Sequence, residues 1–206
     1  MTQFFQIHSE NPQPRLTNQA VSIIRKGGIV VYPTDSGYAL GCQLGDKSAL
    51  DRIRRIRHLD EHHHMTMVCR DLSELANYAR VTNQAFRLLK HHTPGAYTFI
   101  LRATSEVPRR LVHPKKKTLG LRVPDNNIAL ALLDALGEPM MSTSLILPSH
   151  DELLTDPYDI RIELEGRVDL IIDGGYCGNE ETSVIDMTED LPIIVREGAG
   201  DVTAFE

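Results

Sequence analysis

Only three cysteines occur in 206 residues, at positions 42, 69 and 177, and no two form a Cys-x-x-Cys pair. This excludes a disulfide-stapled secreted scaffold and a cysteine zinc site, and makes a reducing cytoplasm the expected compartment. Tryptophan is absent and aromatic residues make up 5 % of the chain, which argues against reading single-stranded nucleic acid by stacking. No apolar run approaches the roughly 20 residues a membrane span needs, so no membrane partner is expected. The segment Met1-Thr2-Gln3-Phe4-Phe5 lacks the basic-then-apolar layout of a secretory signal. Gly-x-x-x-x-Gly-Lys-Ser/Thr, Gly-x-Gly-x-x-Gly and Gly-x-Ser-x-Gly are all missing, which removes the phosphate loop, the dinucleotide fingerprint and the hydrolase nucleophile elbow. Any nucleotide must be held by other means.

The chain does contain alternating helical and strand periods. Helical faces are predicted over 15–26, closed by Gly27-Gly28, and over 47–57, with Leu50, Ile53 and Ile56 in one stripe. Further helices start at the capping-box-like Asp71-Leu72-Ser73-Glu74 and at Thr82, the latter ending before Pro94-Gly95, and 126–136 is closed by Gly137. Strands are predicted at 28–32, 65–69, 97–102, 119–123, 140–145, 168–172, 183–187 and 192–196, the last two as an antiparallel pair because their connection is so short. The expected fold is α/β: one domain over 1–206, with a single open, twisted mixed sheet, flanking helices and a concave cavity.

Formal net charge is −6, yet its distribution is uneven. Residues 107–123 hold no acid but contain Arg109, Arg110, Lys115, Lys116, Lys117 and Arg122, and a second basic group comprises Arg52, Arg54, Arg55 and Arg57. Such a region fits the phosphates of structured RNA, or simply a solvated face. The acids gather toward the C-terminal third, among them Glu180 and Glu181.

Candidate ligand residues recur where strands end. Tyr32-Pro33-Thr34-Asp35-Ser36-Gly37 turns out of a β-branched run and presents hydroxyls, with Gly37 and Gly41 leaving room for a ligand; a solvated strand-to-helix turn is the plainer reading. Arg55-Ile56-Arg57 puts two guanidinium groups at a helix end. Ser142-Thr143-Ser144 and Thr182-Ser183 supply hydroxyls, and Val195-Arg196-Glu197-Gly198 ends a strand with an arginine beside a turn. Arginines, hydroxyls and backbone N–H groups are what a phosphate site needs. Glu61-His62-His63-His64 reads as a polar loop rather than a metal site, since adjacent residues of an extended chain point apart.

Taken in order, Tyr32-Pro33-Thr34-Asp35, Pro94-Gly95-Ala96-Tyr97-Thr98-Phe99, Leu121-Arg122-Val123-Pro124, Ser142-Thr143-Ser144, Ser183-Val184-Ile185-Asp186 and Arg196-Glu197-Gly198 resemble the YrdC-like domain family. Residues 32–42 and 69–75 resemble its YciO branch in particular. The resemblance implies a nucleotide-binding cavity, with Thr34 in an amino-acid subsite and Arg122, Ser144, Ser183 and Arg196 lining a nucleotide and phosphate subsite. Its best-known members are threonylcarbamoyl-adenylate synthases, which join L-threonine, bicarbonate and ATP for tRNA adenosine modification. ATP and Mg²⁺ would then be ligands, although no carboxylate cluster specifies a metal site. Members are also described as binding double-stranded RNA or tRNA, here through Arg52, Arg109, Arg110 and Lys115, Lys116, Lys117. Two departures stand out: Arg55 where synthases carry the lysine of Lys-x-Arg, and Ile146 where they carry the asparagine of Ser-x-Asn. Losing an amide that hydrogen-bonds a ligand can cost orders of magnitude in rate, so a nucleotide- and RNA-binding role is expected ahead of efficient synthesis.

Overall fold

Eleven strands join one mixed sheet in a computed structural model that describes residues 1–60, 63, 65–150 and 152–206. The strands are β1 (Gln3–Gln6), β2 (Val30–Pro33), β3 (Tyr38–Gln43), β4 (Thr66–Val68), β5 (Ala79–Arg80), β6 (Tyr97–Ala103), β7 (Thr118–Arg122), β8 (Met140–Ser144), β9 (Leu170–Asp173), β10 (Ser183–Asp186) and β11 (Ile193–Arg196). Their order is β1-β9-β2-β3-β8-β4-β7-β6-β10-β11, with β5 added to the end of β6. β10 and β11 pair antiparallel as expected, and β4–β7, β6–β10, β1–β9 and β2–β9 pair parallel. The histidine run lies outside the described residues except for His63.

Six helices complete the fold: α1 (Pro14–Arg25), α2 (Lys47–Arg57), α3 (Leu72–Tyr78), α4 (Asn83–His92), α5 (Asn127–Leu136) and α6 (Pro157–Leu164). Local chemistry sets their ends. Asp46 caps α2 by accepting from the Ala49 N–H, and Asn126 caps α5 by accepting from Ile128 and Ala129. Gly137 stops α5 in the left-handed conformation that glycine tolerates.

The period-two alternation of the strands divides the core. On the back face Leu40, Cys42, Met67, Phe99, Leu101, Leu121, Met141 and Ile185 form one buried cluster with Ile53 of α2, Leu75 of α3, Leu89 of α4 and Ile160 of α6. On the front face Val30, Tyr32, Ala39, Met140, Leu170 and Ile172 form a second cluster with Ile24 of α1 and Leu132 of α5. The two front helices thus cover the β1-β9-β2-β3 half of the sheet.

Two expectations change here. Residues 32–42 are not a strand-to-helix turn: β2 and β3 form an antiparallel hairpin in which Pro33 pairs with Tyr38, so only 34–37 turns. Gly41 does not admit a ligand either. A Cβ there would sit 2.9 Å from the Tyr32 ring, so the glycine makes room for a neighbouring tyrosine. Strand β1 and helix α6 were not anticipated; Phe4-Phe5 is too brief to show alternation, and α6 has a weak apolar stripe.

Candidate functional site: a hydroxyl-floored cavity on the bare half of the sheet

Beyond the reach of α1 and α5 the front face is concave and open, forming a cavity of about 320 Å³. Among the described residues that line it, Arg57, at the end of α2, is the only helical one. Its floor consists of the alternate residues of five strands: Thr66, Thr98, Thr118, Arg122, Ser142 and Val184. Each of these has a back-face neighbour in the core, as Thr66 has Met67, Thr98 has Phe99 and Thr118 has Leu119. Most of the chain's buried polar side chains, including Thr34, Ser36, Thr98, Thr118, Arg122, Ser142 and Thr182, line this one cavity. Polar groups are seldom buried without partners, and a shared solvent-filled or ligand-filled space accounts for their concentration.

Thr34 lines the cavity, but its hydroxyl chiefly builds its own turn. Thr34 Oγ1 donates to the Gly37 carbonyl at 2.6 Å and accepts from the Ser36 and Gly37 N–H groups at 3.2 Å. Arg122 Nη2 also reaches that oxygen at 3.3 Å and pairs with Asp35. The Asp35 and Arg122 side chains are 13 % and 8 % exposed, so the pair sits almost fully inside the wall. Arg122 Nε, Arg57 Nε and Asp35 Oδ2 are buried without a hydrogen-bond partner. The two nitrogens are donors and the carboxylate oxygen is an acceptor; it is the gathering of Arg57, Lys116 and Arg122 around the cavity that suits it to an anionic ligand.

Arg57 donates to the Ile146 carbonyl, and burial lowers its pKa, with Glu181 acting in the opposite direction. Position 146 therefore still contributes to the site through its backbone. Arg196 lines the cavity while being fully engaged: Nη1 pairs with Glu181 at 2.7 Å, and Nε and Nη2 donate to the Thr182 carbonyl at 3.0 and 2.8 Å. Ser142 Oγ meets the Tyr32 hydroxyl at 2.8 Å and donates to the Leu40 carbonyl at 2.9 Å. Desolvation raises the pKa of Tyr32, so that hydroxyl stays protonated. Ser144 completes the upper wall.

Several sequence-picked residues fall elsewhere. Arg55 is exposed, its Nε directed back to the Asp51 carbonyl at 3.4 Å, because it lies one residue from the buried Ile56 on the outward side of α2. Ser183 is fully buried and ties down the C-terminal turn, donating to Gly200 O at 2.5 Å and accepting from Gly198 N at 2.9 Å; its neighbour Thr182 is the one that faces the cavity. Arg52 is held by Asp169 at 2.9 Å and, like Lys117, lines neither cavity. Arg109, Arg110 and Lys115 line an adjoining hollow and Lys116 the main cavity, whereas Lys117 follows them in a left-handed conformation at φ 57°. Ser36, presented with Thr34 in the ligand loop, does line the cavity, whereas sequence reading missed Thr66 and Thr118; the strand Thr118-Leu119-Gly120-Leu121-Arg122, polar or small on one face and leucine on the other, carried the signal.

Tyr38 acts as a strap over the ligand turn. Its hydroxyl donates to Gly175 O at 2.7 Å and accepts from Gly174 N at 3.2 Å. Cys177 follows closely, and burial pushes its thiol up to about 11. All three cysteines are free. Among the described residues no three His, Cys, Asp or Glu side chains converge on a metal-sized point, and no helix is long and apolar enough to cross a membrane.

The comparisons agree with this geometry. Residues 22–198 match the Sua5/YciO/YrdC family profile, described as "Telomere recombination". YciO of Escherichia coli strain K12 is 62 % identical over 205 residues, covering all of both chains, and its crystal structure superposes with a TM-score of 0.96. The threonylcarbamoyl-AMP synthase of Bacillus subtilis is 29 % identical over 87 % of this chain and 52 % of its own. Sua5 of Pyrococcus abyssi, solved with L-threonine, gives a TM-score of 0.87 at 27 % identity, over 96 % of this chain and 58 % of that one. The chain thus spans about half the length of these synthases. With the open twisted sheet, the bare concave half and the full-length likeness to YciO all in agreement, the chain belongs to the Sua5/YciO/YrdC family, on its YciO side.

Proposed function

We propose that the cavity binds a nucleotide and that the basic rim beside it binds structured RNA. The observation that carries the first part is the gathering of three cationic side chains, Arg57, Lys116 and Arg122, around a cavity floored by hydroxyls. Phosphate oxygens would pair with those cations, and Thr66, Thr98 and Thr118 would hydrogen-bond sugar or phosphate oxygens. Supporting the RNA part, Arg109, Arg110, Lys115 and Lys116 follow one another around the mouth, and no acid occurs from 107 to 123.

Titration calorimetry with ATP tests the nucleotide reading: saturable binding is expected, abolished in Arg57→Ala/Lys116→Ala, and heat unchanged by that double substitution would refute it. Filter binding of duplex RNA tests the rim. The slope of log affinity against log salt should fall by about one for each phosphate contact removed in Lys115→Ala, Lys116→Ala and Lys117→Ala.

A second reading is threonylcarbamoyl-AMP synthesis. It is favoured by the likeness to B. subtilis synthase and to Sua5 solved with L-threonine. Against it stand Ile146, which contributes a carbonyl to Arg57 where synthases have an asparagine side chain, and Arg55, which is directed away from the cavity. Threonine-dependent pyrophosphate release from ATP and bicarbonate at an appreciable rate would make the second reading the right one.

A further inference from the structure

A second cavity, of about 510 Å³, adjoins the first and meets it at His63 and His113. It lies between α2, Met65 and residues 109–115, on the side away from the hydroxyl floor. Its character differs from that of its neighbour. Leu50, Met65 and Met141 form an apolar floor, Arg54, Arg109, Arg110 and Lys115 stand around it, and among the described residues no acid lines it.

The cations are arranged by identifiable contacts. Arg110 donates to the Gly45 carbonyl, which anchors the 109–112 turn against the loop before α2. His113 Nδ1 accepts from the Lys115 and Lys116 N–H groups at 3.2 and 3.1 Å, and this tight turn sends Lys115 to the second cavity and Lys116 to the first. Arg54 is pinned through Nη1 to Asp51 at 2.9 Å, while its Nε is buried without a partner. Arg109 and Lys115 form no ion pair among the described residues.

We propose that this second cavity is a binding site for one nucleotide monophosphate unit. A purely apolar ligand leaves the cations unused. A bare inorganic anion leaves the apolar floor unfilled, and the volume is that of a small-molecule site. A phosphate offers several acceptor oxygens to Arg54, Arg109 and Lys115 together. A flat nucleobase fits a floor carrying two methionine sulfurs, which make favourable contacts with aromatic rings. The site stands independently of whatever the first cavity binds, because Met65 and Met141 line the second alone, whereas Ile100 and Val184 line the first alone.

Those residues also supply the test. The full chain, labelled with ¹³C at its methionine, isoleucine and valine methyls, is titrated with AMP, adenosine and inorganic phosphate. AMP should shift the Met65 and Met141 methyls saturably, adenosine and phosphate each far less. Arg109→Ala/Lys115→Ala removes two exposed cations without disturbing the core and should weaken that AMP site about tenfold. Movement of Ile100 and Val184 with Met65 and Met141 still would overturn this second site while leaving the nucleotide reading of the first cavity intact. Equal response to phosphate and AMP, or no effect of the double substitution, would also overturn it. A blunt RNA duplex compared with the same duplex bearing one unpaired 3′ nucleotide tells a free nucleotide from an RNA-borne one: shifts with the overhang alone assign the site to an RNA end.

Discussion

Val30, Tyr32, Ala39, Met140, Leu170 and Ile172 project from the front of the sheet beneath α1 and α5, whereas Thr66, Thr98, Thr118, Ser142 and Arg122 project from the same front with no such cover. One pleated surface therefore carries two chemistries, and the helices decide which. Where α1 and α5 pack, side chains must be apolar to be buried without partners. Where they do not, β6 is joined to β7, and β10 to β11, by antiparallel connections that need no crossover helix and so leave that half of the face open. The functional surface is a missing layer rather than an added element.

That contrast can be broken most severely on the covered side. Leu132→Ala, at a fully buried position of α5, should cost about 2–5 kcal/mol in urea unfolding. A cost under about 1 kcal/mol would mean that α5 does not seal this half.

A smaller effect is expected where the open half has its own buried charge. Arg122→Ala strands Asp35 and should cost about 1–3 kcal/mol. Asp35→Ala/Arg122→Ala should recover much of that loss, and a double-mutant cycle without coupling would contradict the pairing.

Alkaline pH probes burial behind and beside the open half through the thiols. Burial pushes Cys42, in the sealed back cluster, up to about 12, and Cys177, beside the ligand turn, up to about 11. Between the ordinary thiol range and these values the unfolded chain has lost protons that the folded chain retains, so stability falls as pH rises above about 9 and is unaffected by these groups below it. Denaturation midpoints that rise over that window would contradict the burial. Alkylation should reach half-buried Cys177 before buried Cys42 and Cys69, and bound nucleotide should slow it.

The smallest effect on stability is expected at the floor. Thr118→Val should change it by no more than about 0.5 kcal/mol, yet weaken nucleotide binding several-fold, in line with about 1 kcal/mol per hydrogen bond. Unchanged affinity would remove Thr118 from the site.

Much of this division is written in the sequence, though unevenly. The α2 stripe of Leu50, Ile53 and Ile56 and the Asn126 cap with Gly137 were legible because helix ends and faces are local features. Strand β3 was not: Ala39, Gly41 and Cys42 lack β-branching, and their strand character comes from partners in β2 and β8. The site was half legible for the same reason. Thr34, Arg57, Arg122, Ser142, Ser144 and Arg196 stand out as polar residues at element ends and do line the cavity. Thr66 and Thr98, single threonines within strands, acquire meaning only when the sheet lays them side by side. Ser183 and Arg55 mislead because one position along a strand or helix turns a side chain to the other face.

The alternation of the floor has a consequence for how such a protein can change over evolutionary time. Thr66, Thr98 and Thr118 alternate with Met67, Phe99 and Leu119, so one set of positions maintains the fold while the interleaved set lines the cavity. Substitutions in the second set can drift toward a new ligand without passing through an unfolded intermediate. A lineage built on this sheet can thus exchange one small molecule for another while its architecture stays nearly superimposable.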